Sequence, residues 1–198
     1  MITCDYFTTF VHHDFIEQKL SELEVVFDRD IAQEIAGRES DRSHDIVQSR
    51  DLSREPHYSS LVEYFYSNSI NILDRSGYAT EKYEFFVSVW AQKADTGQYH
   101  DYHNHFETCM SGIYYITYPE NGSYIEFQDP RPGKNMGALE IRATEDMHHA
   151  HRYVHYKNCT IPGTFIIFES WLDHKISRNF SNTPTKFLHF GLHQRRRL

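Results

Sequence analysis

The first 80 residues place apolar side chains at helical spacing. In residues 14–38 the apolar positions recur every three or four residues, with acidic residues between them, as is typical of an amphipathic helix. These positions are Phe15, Ile16, Leu20, Leu23 and Val26. Asp14 has the side chain of an N-cap, so the pattern predicts a helix that begins just after it.

A second helix is predicted over residues 58–78. Its apolar positions are Leu61, Tyr64, Phe65, Ile70 and Leu73. Gly77 ends it, because glycine is the usual residue just past a helix C-terminus. The stretch between the two helices, residues 39–57, is polar and rich in turn residues, and it predicts a loop with short helical pieces.

From residue 81 onward the pattern changes to that of strands. Aromatic and β-branched residues dominate short segments that turn residues separate. These segments are YEFFVSVWAQ, SGIYYITY, SYIEF, GALEIRA, GTFIIFES and TKFLHFGLH. The Asn-Gly pair at 121–122 is a turn signal, so residues 113–127 predict a hairpin. Many short strands in this arrangement favour a jelly-roll or barrel-like sandwich.

Length and charge narrow the class of protein. The chain has 198 residues, which favours a single domain, with residues 1–80 as a mainly helical N-terminal part. Its net charge of −8 argues against a nucleic-acid-binding protein, which would carry a basic patch. No basic segment followed by an apolar stretch opens the chain, and no apolar run reaches the length of a membrane span. We therefore expect a soluble protein with no membrane partner.

The cysteines point to a reducing compartment. Cys4, Cys109 and Cys159 are odd in number and widely separated, with no CxxC pair, so neither a zinc ribbon nor a disulfide framework is predicted. A cytoplasmic location fits best, either in the cell itself or in an infected host.

Three histidines introduce the candidate chemistry. The segment GQYHDYHNH places His103 and His105 two residues apart, which in a strand puts both imidazoles on one face. Imidazole is a preferred ligand for iron(II), zinc and copper(II). An HxH pair alone is a weak signal, but His174 follows a later predicted strand, and Lys186 comes twelve residues after it.

The region 83–192 resembles the core of the iron(II)- and 2-oxoglutarate-dependent oxygenases. In particular it is similar to an uncharacterised oxygenase family found in bacteria and many phages. The matching pieces are GQYHDYHNH, SGIYYITYPENGSYIEFQDPR and IPGTFIIFESWLDHKISRN. The resemblance implies a double-stranded β-helix, of jelly-roll or cupin-like type, over residues 81–198, with an N-terminal helical layer packed on it. It also implies a 2-oxoglutarate-dependent dioxygenase, most simply a hydroxylase.

The resemblance also implies residue roles. His103, His105 and His174 match the metal ligands, and no catalytic residue beyond them is implied. Lys186 takes the place of the arginine that pairs with the far carboxylate of 2-oxoglutarate, and Tyr115 matches a position that hydrogen-bonds the same carboxylate. The implied cofactors are Fe(II) and 2-oxoglutarate as cosubstrate, and the implied partners are dioxygen and a small-molecule or peptide substrate.

Two positions depart from the usual pattern of the superfamily. His105 replaces the customary aspartate, so the iron would carry more positive charge; Glu107, Asp101 and Asp129 are the carboxylates that remain as alternatives. Lys186 replaces arginine and cannot form a planar bidentate fork. Collagen-type prolyl hydroxylases resemble the lysine arrangement, so the change is compatible with cosubstrate binding.

Several other residues have two interpretations. Arg131 either grips an anionic substrate or braces a turn, and Trp171 either packs or lines the substrate pocket. The cluster of His148, His149, His151 and His155 is interpreted either as a solvated loop or edge strand, or as a lid over the site or an adventitious metal patch. His100 is interpreted as a neighbour of the site. His189 is expected on the sheet face opposite Lys186, in a structural role.

Two other functions fit the same residues. One is a cupin-like metal-dependent dioxygenase or isomerase that does not use 2-oxoglutarate. The other is a non-catalytic β-sandwich used for binding or in virus assembly. The sequence identifies neither the substrate nor the oligomeric state.

Overall fold

The strand Met110–Thr117 is buried on both faces, which shows how the molecule is layered. Tyr114 and Ile116 pack against two helices, whereas Ile113 and Tyr115 pack against a second sheet. Side chains alternate across a strand, so a central strand of a three-layer structure must be apolar at nearly every position. The computed structural model describes residues 8–16, 18–36, 46–131, 153–155 and 160–197.

The larger sheet has six strands and carries the helices on its outer face. In chain order its strands are β1 (Val11–Phe15), β2 (Val47–Gln48), β3 (Tyr83–Ala94), β5 (Met110–Thr117), β8 (Thr164–Glu169) and β10 (Thr185–Arg196). Their spatial order is β1-β8-β5-β10-β3-β2, with antiparallel pairing. The helices are α1 (Leu20–Ala36) and α2 (Ser59–Arg75).

The smaller sheet has four strands and faces the inner side of the larger one. It contains β4 (His100–His103), β6 (Ile125–Gln128), β7 (Tyr153–His155) and β9 (His174–Ile176), in the spatial order β4-β9-β6-β7. Ile125, Phe127 and Ile176 of this sheet share a core with Phe168 and Phe187 of the larger sheet. The two facing antiparallel sheets and the helical layer form the predicted double-stranded β-helix.

The predicted start of the first helix is wrong. Phe15 belongs to strand β1, which pairs with β8, and the helix begins at Leu20. Asp14 caps no helix: its carboxylate accepts hydrogen bonds from the adjacent Phe15 amide and the Tyr64 hydroxyl. The N-terminal part therefore supplies both edge strands of the larger sheet, because an available sheet edge outweighs a helical pattern in so short a segment.

The predicted hairpin over residues 113–127 is also wrong. The Asn-Gly turn is present, with Asn121 at φ 60° and the Gly122 amide bonded to the Pro119 carbonyl. The strands that flank it nevertheless lie in different sheets, since β5 pairs with β8 and β10 while β6 pairs with β7 and β9. The turn thus carries the chain from one sheet to the other.

The second helix and five of the six strand predictions are confirmed. The helix ends at Arg75, and Gly77 follows it with φ 89°. The predicted strand GALEIRA lies outside the described residues, as do Cys4, Cys159, His148, His149 and His151. No helix among the described residues is long and apolar enough to cross a membrane.

Candidate metal centre

Strands β4 and β9 bring the first and last predicted ligands together. His103 ends β4 and His174 begins β9, and the two residues are direct partners in the antiparallel ladder. Their ring centroids are 4.4 Å apart. The Asn104 side-chain amide donates to the Asp173 carboxylate at 2.7 Å, which fixes this corner of the smaller sheet beside both histidines.

A backbone contact with the end of β8 positions His105. His105 lies two residues beyond the strand His100–His103. Its backbone amide donates a hydrogen bond to the Ser170 carbonyl at 3.0 Å. The His105 ring lies 5.0 Å from that of His103 and 5.2 Å from that of His174. The ligand atoms of the three side chains all lie within 4.8 Å of one another. The structure therefore brings together the three histidines that the sequence singles out.

Backbone carbonyls set the tautomers of two of these histidines. The Nδ1 atom of His103 lies 2.7 Å from the Asp101 carbonyl, and that of His174 lies 2.8 Å from the Leu172 carbonyl. A carbonyl oxygen only accepts, so each Nδ1 must carry the hydrogen, and the Nε2 lone pair is left for a metal. This is the orientation that metal-binding histidines commonly adopt.

Burial keeps His105 and His174 neutral. Desolvation, followed by the neighbouring imidazoles, lowers the pKa of His105 to about 4 and that of His174 to about 3. His174 is only 1% exposed. Both rings therefore keep a lone pair at neutral pH, which is the form that binds a metal ion.

The three alternative carboxylates are directed elsewhere. Glu107 and Asp101 are exposed, and the Asp129 carboxylate binds the Arg131 guanidinium. None of the three belongs to the group of close ligand atoms found among the described residues. The donor set is then three imidazoles, which suits iron(II) as well as other borderline metals.

Lys186 points away from the histidines. Its ammonium lies 2.7 Å from the carboxylates of Glu24 and Asp28, both on α1 at the outer face of the larger sheet. The side chain is only 12% exposed, so this pairing occupies it. In this geometry Lys186 does not support the predicted role as the cation for 2-oxoglutarate.

Tyr115, the predicted contact for the far carboxylate of 2-oxoglutarate, lies in a region with several buried hydroxyls. Tyr115 is fully buried between the sheets, and its hydroxyl has no hydrogen-bond partner among the described residues. The same holds for the buried hydroxyls of Tyr118 and Ser123. The rings of Tyr115 and Tyr118 meet edge to face, 5.9 Å apart. The Ser123 amide donates a hydrogen bond to the Thr185 hydroxyl, which lies at the start of β10. Two residues further along β10, the Phe187 ring contacts the Tyr115 ring. Sequence reasoning missed Tyr118 and Ser123.

His189 lies closer to the candidate site than its expected structural role implies. It lies on the face opposite Lys186, as expected, but that face is the inner one, and its ring lies 4.8 Å from His105. A usable signal was present: on β10 the alternate positions Leu188, Phe190 and Leu192 are apolar, whereas His189 and His193 share the other face.

The two predicted substrate residues have local partners. The Arg131 guanidinium makes a fork with Asp129, at 2.9 and 2.8 Å, which braces the FQDPR turn. Trp171 is 47% exposed, and its indole N–H donates to Glu169. His100 stacks on His103 with ring centroids 4.0 Å apart and lies outside the close group.

A cavity of about 410 Å³ lies away from these histidines. It is formed between β1 and α2, on the helical side of the larger sheet, and Arg75, Asn68, His12 and Phe165 are among its lining residues. It contains none of the three histidines of the close group. The metal-binding geometry, and not the size of a cavity, therefore identifies the candidate site.

Comparison with known protein families identifies a match that spans the candidate metal ligands. A family model described as "Putative 2OG-Fe(II) oxygenase" matches residues 88–186, which include all three histidines. No curated protein sequence matches the chain.

Solved structures share the fold at low sequence identity. A Pseudomonas putida prolyl-4-hydroxylase superposes with a TM-score of 0.64 at 8% identity, covering 95% of this chain and 94% of its own. SnoK, a non-heme alpha ketoglutarate dependent carbocyclase from nogalamycin biosynthesis, gives 0.59 at 16%, covering 96% and 82%. EvdO2 from Micromonospora carbonacea var. aurantiaca, complexed with 2-oxoglutarate, gives 0.51 at 12%, covering 96% and 89%.

Proposed function

Because the chain belongs to the family of 2OG-Fe(II) oxygenases, we propose that it hydroxylates a small-molecule or peptide substrate. In such a reaction the substrate, dioxygen and 2-oxoglutarate give the hydroxylated product, succinate and carbon dioxide. The cofactors of the family are iron(II) and 2-oxoglutarate, and the protein is an oxidoreductase.

The observation that carries the proposal is the close group of His103, His105 and His174. We assign these three as the metal ligands. Their three close imidazoles and the carbonyl-fixed tautomers of two of them, His103 and His174, fit an iron(II) ion. When bound, the metal with its 2-oxo acid supplies the oxidising chemistry; the chain supplies ligand geometry and a site shielded from water. No further catalytic residue is proposed.

Tyr115 is proposed to bind the far carboxylate of 2-oxoglutarate. We add Tyr118 and Ser123 to this proposal, because each has a buried hydroxyl without a partner among the described residues. An unpaired buried hydroxyl costs about 1–3 kcal/mol, and a carboxylate would accept from all three. These hydroxyl donors would then bind the far carboxylate of 2-oxoglutarate, a role for which Lys186 is not positioned because its ammonium is paired with α1.

The substrate is proposed to bind at the open end of the histidine site. Trp171 is half exposed and lies three residues before His174, so its ring is available to line that opening. Arg131 remains a proposed contact for an anionic substrate, with Asp129 as its present partner.

A second candidate function is a cupin-like dioxygenase or isomerase that needs the metal but no 2-oxoglutarate. Two observations favour it: the ligand set is all imidazole, and Lys186 faces α1. The two candidates share the metal centre and differ in the cosubstrate.

Anaerobic titration tests both candidates. Iron(II) and then 2-oxoglutarate are added to the metal-free protein, and the visible metal-to-ligand charge-transfer band is followed. The proposal expects a band that needs both additions and is lost in His174→Ala. Iron binding without the band would favour the cupin-like function, and failure to bind iron would contradict both.

A further inference from the structure

His189 occupies the centre of the inner sheet face, next to the metal centre. It lies on β10 between Trp90 of β3 and Ile113 of β5, with which it is in register. Its ring stacks on Trp90 at 5.4 Å and meets His105 at 4.8 Å. The residue is 6% exposed, so its polar atoms depend on partners inside the barrel.

In the part of the chain that the structure describes, two imidazole nitrogens of this region are buried without a partner. They are the Nε2 atoms of His105 and His189. Unsatisfied buried polar atoms are rare in native proteins, and each requires an explanation such as a catalytic role or a bound water or ion. The ligand function assigned to His105 accounts for one imidazole, and the other still lacks a partner.

His189 is placed to bind a ligand of the metal and not the metal itself. Among the described residues, the group with ligand atoms within 4.8 Å of one another contains His103, His105 and His174 but not His189. A neutral imidazole offers one N–H donor, and a carboxylate offers acceptors that a buried donor requires.

We propose that His189 binds the metal-side carboxylate of 2-oxoglutarate through a hydrogen bond from Nε2. This inference rests on the proposed function. It also fits the spacing along β5: Tyr115 lies two residues beyond Ile113, the partner of His189, which is about 7 Å along a strand. Among the described residues, the unpartnered imidazole of His189 and the unpartnered hydroxyl of Tyr115 thus belong to positions separated by roughly the length of a five-carbon dicarboxylate.

Oxalate separates the two ends of this site, since it has the metal-side carboxylate but lacks the far one. Calorimetric titration of 2-oxoglutarate and of oxalate into the full chain loaded anaerobically with iron(II) measures each end. His189→Phe keeps the aromatic ring and removes the donor. We expect it to weaken both ligands by the same factor, about tenfold or more, since hydrogen bonds to charged groups are strong.

Three further variants control for shape and folding. His189→Gln places an amide N–H near the position of Nε2 and is expected to restore most of the affinity, whereas His189→Asn is too short and is expected to behave like His189→Phe. His193 lies on the same strand face, and its Nε2 atom forms a hydrogen bond with the Ser88 hydroxyl. His193→Phe is therefore expected to leave both affinities unchanged. The smaller Asn variant keeps the test open if the Phe variant does not fold.

The outcomes separate this inference from the proposed function. Unchanged affinities in folded His189→Phe and His189→Asn would overturn the role of His189 while the wild-type titration still supports the oxygenase. Loss of iron(II) affinity in these variants would show that His189 is a metal ligand, which would also overturn its proposed role as a carboxylate donor. If wild-type protein binds iron but neither 2-oxoglutarate nor oxalate, both proposals fail.

Discussion

At the scale of single residues, the site depends on which atoms already have partners. The Nδ1 atoms of His103 and His174 are tied to carbonyls two residues earlier in the chain, so their Nε2 atoms remain for a metal. The motif HxH gives the residue types, but the tautomer follows from local backbone geometry. Partnered and unpartnered atoms therefore decide the assignment of roles more than residue identity does.

The position of Lys186 leads to a prediction about cosubstrate binding. Lys186→Met should leave the affinity for 2-oxoglutarate unchanged within about twofold, because the ammonium is bound to Glu24 and Asp28. It should lower the free energy of unfolding by about 1 kcal/mol or less, as for other partly exposed ion pairs. Calorimetry and urea denaturation measure the two quantities.

Tyr118→Phe is the matching variant inside the barrel. It removes one buried hydroxyl and keeps the ring that contacts Tyr115. We expect about tenfold weaker binding of 2-oxoglutarate with unchanged binding of oxalate, because a hydrogen bond to a charged group contributes roughly 1.5–3 kcal/mol. Weaker 2-oxoglutarate binding in Lys186→Met together with normal binding in Tyr118→Phe would return the role to the lysine.

At the scale of elements, the close packing of α2 on β5 holds the inner face in place. A Cβ atom at Gly112 would lie 2.8 Å from the Phe65 ring and 2.9 Å from the Phe165 ring. Both rings belong to the core between helix and sheet. The glycine therefore permits the approach of the helix to the strand that carries Tyr115.

Gly112→Ala is predicted to destabilise the fold by about 1–3 kcal/mol, the usual cost of overpacking a core. Urea denaturation monitored by circular dichroism measures the change. Phe65→Leu should recover part of the loss in the double variant, because the two sites are in contact and their effects couple. Additive losses would contradict the packing explanation.

At the scale of the whole molecule, the proposed metal centre would join the two sheets at one end of the barrel. His103 and His174 belong to the smaller sheet, and His105 is held by Ser170 at the end of β8 in the larger sheet. An ion bound to all three would link segments from both halves of the chain. Metal binding should therefore stabilise the entire fold and not one loop.

Iron(II) is expected to raise the melting temperature of the metal-free protein under anaerobic conditions. Free metal at a hundred times its Kd adds about 2.7 kcal/mol, which for a chain of this length corresponds to a rise of roughly 5–10 °C. Differential scanning calorimetry measures the rise, and a chelator should reverse it. His105→Ala should abolish most of it, whereas His100→Ala should keep it.

The same measurement distinguishes the ligand sets. A full rise in temperature for His105→Ala would mean that a carboxylate such as Glu107 completes the site, and Glu107→Gln would then remove the rise. Retention of the rise in Glu107→Gln together with its loss in His105→Ala would support the three-histidine site.

The sequence by itself determined the strand-rich C-terminal part, the second helix and the order of the histidines. Those features follow from local periodicity and turn chemistry, which neighbouring residues encode. It also contained the three residues that the site brings together, because imidazole pairs at strand spacing are visible without a structure.

Only the tertiary structure decided how the strands pair and which way their side chains face. The pattern at Phe15 was helical, but an open sheet edge made it a strand; the Asn-Gly turn predicted a hairpin, but its strands joined different sheets. Alternation along β10 put Lys186 and His189 on opposite faces, but only packing of α1 on the outer face showed that the histidine, not the lysine, faces the metal centre. Pairing and facing depend on contacts between distant segments, which local sequence does not specify.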